Sequence, residues 1–404
     1  MLIRIAWRNL WRNRRRSLII QSSVVIGVVA IIFLDGLMNG MLYQMLFNQV
    51  SSTIAHIEIH KNGFNDNKSV QNFIPDNEII EKTIQEEPGV KYYSRRVISF
   101  GLLSSASNSS GVYIYGVNPP EEINVSSISN SIIEGNYLSG SDREIVIGQG
   151  LADKLGVSLG DKVVAMTNRD DGKIGSDLFR VTGIYKSFSS EFDKSYIYIP
   201  IQNAQTMMNI GDNIYEFALI LNDYKNAQAV TNDLRSRLSY DYEVLSYRDI
   251  LPLLIIQLDL YKQSAFIITF IVSLALIFGI INTMLMAVFE RINEFGVLMS
   301  IGMSSSKIFL MIVWEAFILG VIGTIAGFVI AMLLHLIVSN TGINLSMFAA
   351  SLDSFGLGAT IYPQLLIENI INTLVTIPFI SVLGAIYPAY KAIKLELVYA
   401  LRYV

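Results

Sequence analysis

The sequence predicts a membrane α-helical protein with four transmembrane helices and one α+β extracytoplasmic domain. Three observations lead there. Of the 404 residues, 52% are apolar and only 16% are charged, against about a quarter charged in soluble proteins. The charge is also unevenly spread. Residues 1–46 hold six Arg and one Asp, residues 262–404 balance at six basic and six acidic groups, and 47–261 carry a net −9. Finally, four stretches (18–42, 264–289, 308–338 and 369–390) are almost wholly apolar, each longer than the ~20 residues that cross a bilayer core. Together these exclude a soluble enzyme, a disordered chain and an all-membrane bundle. The acidic middle block repels phosphates, so nucleic acid is not an expected partner. The chain has no cysteine, which removes disulfides, thiolate metal sites and cysteine nucleophiles.

Taken in order, residues 1–17 place Ile3, Trp7, Leu10 and Trp11 at helical spacing opposite arginines, the pattern of an amphipathic helix lying in the membrane interface. Residues 18–46 form the first transmembrane helix and the start of a stalk. Their apolar run is too long for a signal peptide, and no small-residue cleavage site follows. Residues 47–249 form the extracytoplasmic domain. Alternation over 53–60 predicts a strand. Asp76 is placed as the cap of a helix running to 87, which ends at Pro88-Gly89. Strands follow near 91–104 and 111–117. A β-rich insert spans about 132–195, with short runs at 144–147 and 161–166 and a helix at 151–155 before Gly156. After Pro200 come a helix to 208, a strand at 215–221, a helix at 225–238 and a strand at 242–246. The class of this domain is α+β.

Residues 250–289 form the returning stalk and the second transmembrane helix. Residues 290–307 form a short connection, 308–338 the third transmembrane helix, 339–368 a short outer loop, and 369–390 the fourth transmembrane helix. Pro378 and Pro388 kink that last helix. Residues 391–404 are a tail. Orientation follows from the basic residues. Arg4, Arg8, Arg12, Arg14, Arg15 and Arg16 precede the first helix. Arg291 and Lys307 flank the 290–307 connection, and Lys391, Lys394 and Arg402 follow the fourth helix. Both termini and 290–307 are therefore expected in the cytoplasm, and 47–261 and 339–368 outside.

No catalytic constellation is legible. His56 and His60 share a strand face, but no paired carboxylates stand nearby at ligand spacing, so no metal site is expected. No G-x-x-x-x-G-K-[ST] loop occurs, so any ATP must be hydrolysed by another chain. Glu315, inside the third helix, is expected to pack or pair near the interface. Asp35 and His335 lie near the outer helix ends, where solvation suffices. Gly323 and Gly327 form a G-x-x-x-G pair, which permits close helix contact in lipid.

The stretch Glu290-Arg291-Ile292-Asn293-Glu294-Phe295-Gly296-Val297-Leu298-Met299-Ser300-Ile301-Gly302-Met303 resembles the E-R-x-x-E-[IF]-G-[IV]-L-x-x-[IL]-G motif of the MacB/FtsX-like ABC transporter permeases. The tail, with Tyr387-Pro388-Ala389 and Ala400-Leu401-Arg402-Tyr403, is similar to that family's ending. Gly116-Val117-Asn118-Pro119, Glu134-Gly135-Asn136-Tyr137-Leu138, Leu151-Ala152-Asp153-Lys154-Leu155-Gly156-Val157 and Gly160-Asp161-Lys162-Val163 resemble its lipoprotein-releasing LolC/LolE branch. The sequence departs from the family at Met299, Ser300 and Leu397, where Arg, Ala and Pro are usual.

The resemblance implies a MacB-like (type VII ABC exporter) architecture and a noncatalytic bacterial inner-membrane subunit. Its implied partners are an ATP-binding cassette ATPase that holds the ATP and magnesium, a second permease copy or paralogue, lipoprotein cargo, a soluble lipoprotein carrier and membrane lipid. No cofactor is expected in this chain. The resemblance further implies that Glu290, Arg291, Glu294, Phe295, Leu298 and Met299 couple to the ATPase, the acids pairing with its basic groups and the apolar residues filling a groove. Acyl chains would then meet Phe33, Leu37, Met38, Met41, Met45, Leu258, Tyr261, Phe266 and Phe270, since Met and aromatic side chains adapt to flexible chains. Motion would pass to the outer domain as mechanical work. Alternatives within the family are a MacB-like exporter of peptides, toxins or drugs and an FtsX-like transmembrane signalling protein.

Overall fold

The computed structural model describes residues 4, 6–8, 14–75, 77–354 and 357–394. The predicted interfacial helix over 1–17 falls mostly outside the described residues, as do Asp76 and most of the 391–404 tail. The chain divides into two compact units. One holds residues up to 43, 257–344 and those from 360 onward, and the other holds 44–256 and 345–359.

The helical unit is built on four long helices. Helix α1 runs Arg14–Gln49 and continues into one π-helical turn at Val50–Ile54. In the second unit, α2 spans Asn77–Gln85, α3 Gln149–Leu155, α4 Ile201–Met208 and α5 Ala227–Arg237. Helix α6 runs Pro252–Glu290, α7 Ile292–Ser300, α8 Ser305–Thr341 and α9 Ile367–Ile393. Four of these helices are long and apolar enough to cross a membrane: α1, α6, α8 and α9. At roughly 1.5 Å per residue, the 39 residues of α6 reach about 58 Å, well beyond a hydrocarbon core of ~30 Å. The glycine pair does what its spacing allows. A Cβ on Gly323 would lie 2.8 Å from Val24, and one on Gly327 2.8 Å from Val28. Only hydrogen at those positions lets α8 close on α1. The buried seam continues through Leu276, Ile280, Phe295, Ile312, Ile377 and Ala385.

Among the described residues the second unit contains ten strands. They are β1 (Ile57–Lys61), β2 (Val90–Ser104), β3 (Ser109–Val117), β4 (Ile132–Gly135) and β5 (Glu144–Gly148), followed by β6 (Lys162–Asn168), β7 (Ile174–Tyr185), β8 (Tyr196–Pro200), β9 (Glu216–Leu221) and β10 (Tyr242–Ser246). Strands β10, β1, β9 and β2 pair antiparallel in that order. From β2 the pairing runs through β3, β8, β5, β7 and β6 and returns to β2, closing a ring of six strands. Strand β2 makes this possible by its length. Its first half pairs with β9, and its last four residues pair with β6. Helices α2, α3, α4 and α5 cover the sheet with Ile80, Leu151, Ala204 and Leu234.

One expectation changes. The strand predicted over 53–60 begins only at Ile57, because α1 runs on through the π turn and ends where Ala55 takes a positive φ of 57°. The insert at 132–195 carries β4, β5, β6 and β7, and it joins the rest of the sheet where β6 pairs with β2 and β5 with β8. Pairings of such long range leave no local signal in the sequence. Elsewhere the turn chemistry was readable. Gly156 closes α3 in the left-handed conformation, and Pro200 precedes α4.

Candidate functional site

The connection between α6 and α8 carries the family motif and is tightly built. Helix α6 ends at Glu290, and Arg291 leaves helical geometry with φ −111° and ψ 15° before α7 begins. Helix α7 closes with the Gly302 amide on the Met299 carbonyl and the Met303 amide on that of Leu298. This paired closure calls for a left-handed residue, and Gly302 supplies it at φ 96°. Ser304 then caps α8 from an extended conformation.

The coupling residues read from the sequence divide over two faces of α7. Arg291 and Phe295 point inward and are buried, with Phe295 1% exposed. In this chain both face the neighbouring helices and not the exposed side of α7. Phe295 instead packs into the helical seam. Arg291 donates from Nη1 to both carboxylate oxygens of Glu315 on α8, at 3.0 and 3.1 Å, and from Nε to Glu294 Oε2 at 3.0 Å. Its guanidinium carbon also lies 5.2 Å from the centre of the Phe295 ring. Glu290 and Glu294 are exposed, and Leu298 and Met299 are half-buried. The outward face gains two residues that sequence reasoning passed over, Val297 at 48% and Ile301 at 76% exposure. Their spacing of three and four from Glu294 and Val297 was the available signal.

A second cluster lies inside the sheet domain. One cross-strand row reads Glu243 on β10, His60 on β1, Glu216 on β9 and Arg96 on β2. Glu58 sits two residues before His60, on the same face. Arg96 is fully buried. It donates from Nε and Nη2 to Glu122 at 3.0 and 2.7 Å, and from Nη1 to Glu216 Oε1 at 2.8 Å. His60 Nε2 lies 3.0 Å from Glu58 Oε2 and 3.6 Å from Glu216 Oε2. Its Nδ1 lies 3.2 Å from the Tyr215 carbonyl. Both ring nitrogens therefore face oxygens, an arrangement that favours the doubly protonated imidazolium.

The sequence reading placed no carboxylates near His60, and the structure places two there. Each of Glu58, His60 and Glu216 offers a ligand atom within 4.8 Å of the others. Arg96 and His60 both reach Glu216, at 2.8 and 3.6 Å, so the cations of the row lie against its carboxylates when His60 is protonated. Burial pushes Glu216 up to about 7, helped by the Glu58 charge and opposed by Arg96 and His60. Burial alone would lower His60, but the hydrogen bond to Glu58 and the charges of Glu216, Glu58 and Glu243 outweigh it and leave His60 raised.

A third cluster lies in the helical unit. The position of Asp35 near the outer end of its helix predicts a solvated side chain. It is half-buried, and it accepts from Asn39 at 3.0 Å, Asn369 on α9 at 2.7 Å and Tyr261 on α6 at 3.4 Å. Replacing Asp35 with alanine leaves three donors without their acceptor. The expected loss is about 1–2 kcal/mol of helix packing, read as a lower unfolding temperature in detergent, with Asn at that position losing less.

Of the nine residues read as acyl contacts, Tyr261 joins α1 to α6 through Asp35. Phe266 and Phe270 face outward at 74% and 60% exposure. Phe33, Leu37, Met38, Met41, Met45 and Leu258 are half-buried.

Comparison with known families agrees with this layout. The MacB-like periplasmic core domain matches residues 17–237, and the FtsX-like permease C-terminal domain matches 266–397. An uncharacterized ABC transporter permease of Methanocaldococcus jannaschii is 30% identical over 344 residues, 80% of this chain and 83% of its own. The chain belongs to the MacB/FtsX-like ABC transporter permeases. The permease is also similar to the lipoprotein-releasing system transmembrane protein LolC of Neisseria meningitidis, 25% identical over 95% of this chain and 92% of that one. LolE of Haemophilus influenzae is 25% identical over 92% and 91%. Proteins of this class are generally noncatalytic. Within the permease, the Arg96 row lies in the MacB-like part, and α7 with Glu315 lies in the FtsX-like part.

Proposed function

We propose that this permease is the membrane subunit of a transporter that extracts lipoproteins from the inner membrane, driven by ATP hydrolysis on a separate subunit. The observation that carries the reading is similarity along nearly the whole chain to LolC, a lipoprotein-releasing system transmembrane protein. The distribution of basic residues supports a topology with both termini and α7 in the cytoplasm and the sheet domain outside. Two permease chains, identical or related, pair in the membrane, and each docks an ATPase. The exposed face of α7, with Glu290, Glu294, Val297 and Ile301, is the docking surface. Its chemistry fits a partner segment that sets basic groups beside an apolar cleft. The acyl chains lie along the upper parts of α1 and α6, and the sheet domain hands the cargo to a soluble carrier.

Replacing Val297 and Ile301 together with aspartate is expected to reduce co-purified ATPase at least tenfold. That is roughly 1.4 kcal/mol, and quantitative mass spectrometry of the complex would measure it. For the function itself, permease and ATPase are reconstituted in vesicles with a triacylated lipoprotein. ATP is expected to move the lipoprotein into the soluble fraction when the carrier is present. ATP-driven movement of a soluble peptide or drug with the lipoprotein left behind would replace this reading with a MacB-like exporter.

A further inference from the structure

Helix α7 is nine residues long and hangs between two turns. A load applied to its exposed face would be absorbed by bending those turns unless side chains tie the helix down. Two ties exist. Phe295 is a packing contact, which resists separation but allows sliding. The other is directional: Arg291 reaches both oxygens of the buried Glu315, in surroundings where little water screens the charges. Glu315 stands ten residues beyond the start of α8, a helix that also closes on α1 through its glycines. Arg291 is shared with Glu294 at 3.0 Å. The Glu294 side chain remains 44% exposed, so a partner's basic group can reach it without disturbing Glu315.

We propose that Glu315 is a positioning residue that, through Arg291, locks α7 to α8, so that force delivered to the outer face of α7 enters α8 as a rigid-body movement. Glu294 is the exposed arm of the clamp and Glu315 its anchor. This rests on the reading of α7 as the ATPase dock, and the test therefore carries one readout that needs no partner.

The chain has no cysteine, so cysteines can be introduced at Ser300 on α7 and Leu333 on α8 and spin-labelled in the full chain. In the parent the distance distribution is expected to be narrow. Glu315→Gln is expected to broaden it at least twofold, and the exchange Arg291→Glu with Glu315→Arg to narrow it again. With the ATPase present, Glu315→Gln is expected to keep ATPase binding within about twofold while lipoprotein released per ATP falls at least tenfold. The double variant Arg291→Met with Glu315→Met removes the clamp without stranding a buried charge. It is expected to fold, bind and remain uncoupled, which separates loss of the clamp from loss of the fold. An unchanged distance distribution in Glu315→Gln overturns the proposal whatever the partner does. So does loss of ATPase binding in step with transport, because that marks a docking role. If the parent chain neither binds an ATPase nor releases lipoprotein, the transport reading fails, and the label distances still decide the clamp.

Discussion

Replacing Arg96 with alanine is expected to unfold the sheet domain. The guanidinium is 1% exposed and is the hub between Glu122 and Glu216, both buried. Removing it strands two carboxylates in a dry interior. Breaking one buried pair from one side costs about 3–5 kcal/mol, and a whole domain has only about 5–15 kcal/mol to lose. Lysine will not substitute, because Glu122 is held by two nitrogens of one planar fork, which an ammonium cannot reproduce. Hydrogen exchange on the full-length protein in detergent is the measurement, followed on peptides from β1, β2 and β9. Protection equal to the parent in the alanine variant would contradict the account. Adding Glu122→Gln and Glu216→Gln to an Arg96→Met background is expected to recover much of the lost protection, since neutral groups of similar size carry no stranded charge.

The same row makes the domain less stable as pH rises. Glu216 is protonated more readily folded than unfolded, rising from 4.5 to about 7. Its contribution is complete below pH 4.5 and disappears as pH climbs through about 7. His60 is also raised above its usual 6.5, so its contribution is complete below 6.5 and fades above the raised value. Both act in one direction, and the sheet domain is expected to lose on the order of a few kcal/mol between about pH 5 and pH 8. Exchange of β1 and β9 amides, corrected for the intrinsic pH dependence of exchange, measures it. Glu216→Gln is expected to flatten the profile. A parent profile that is flat or rises over that range would show that these groups do not titrate as their surroundings require.

How much of this was legible in the residues depends on the distance between partners. The four long helices follow from uninterrupted apolar runs, and α3, α4 and α5 from their flanking Gly156, Pro200 and helical periodicity. Strand β7 was harder, because Asp177 and two glycines stand on its inward-facing positions and break the apolar alternation. The outward face of α7 is periodic and could have been read in full. Its inward face could not. Arg291 looks like a topogenic charge until Glu315 arrives, 24 residues on and from another helix. Likewise Arg96 meets Glu122 and Glu216 across separations of 26 and 120 residues. A buried charge has to find its partner wherever the fold brings one, so its role is settled by topology and not by local pattern.

Ring closure also leaves the sheet with few places to grow. Within this ten-stranded sheet, as far as the described residues show it, only β10 and β4 have a neighbouring strand on one side alone. Strand β4 is four residues long, and on β10 the Val244 carbonyl is already taken by Arg235 Nε at 2.8 Å. Unpaired strand edges are what let folded domains add to one another and aggregate. Copies of this domain crowded side by side are thus discouraged from fusing their backbones into a shared sheet. Any contact between such domains would run through side chains and stay separable.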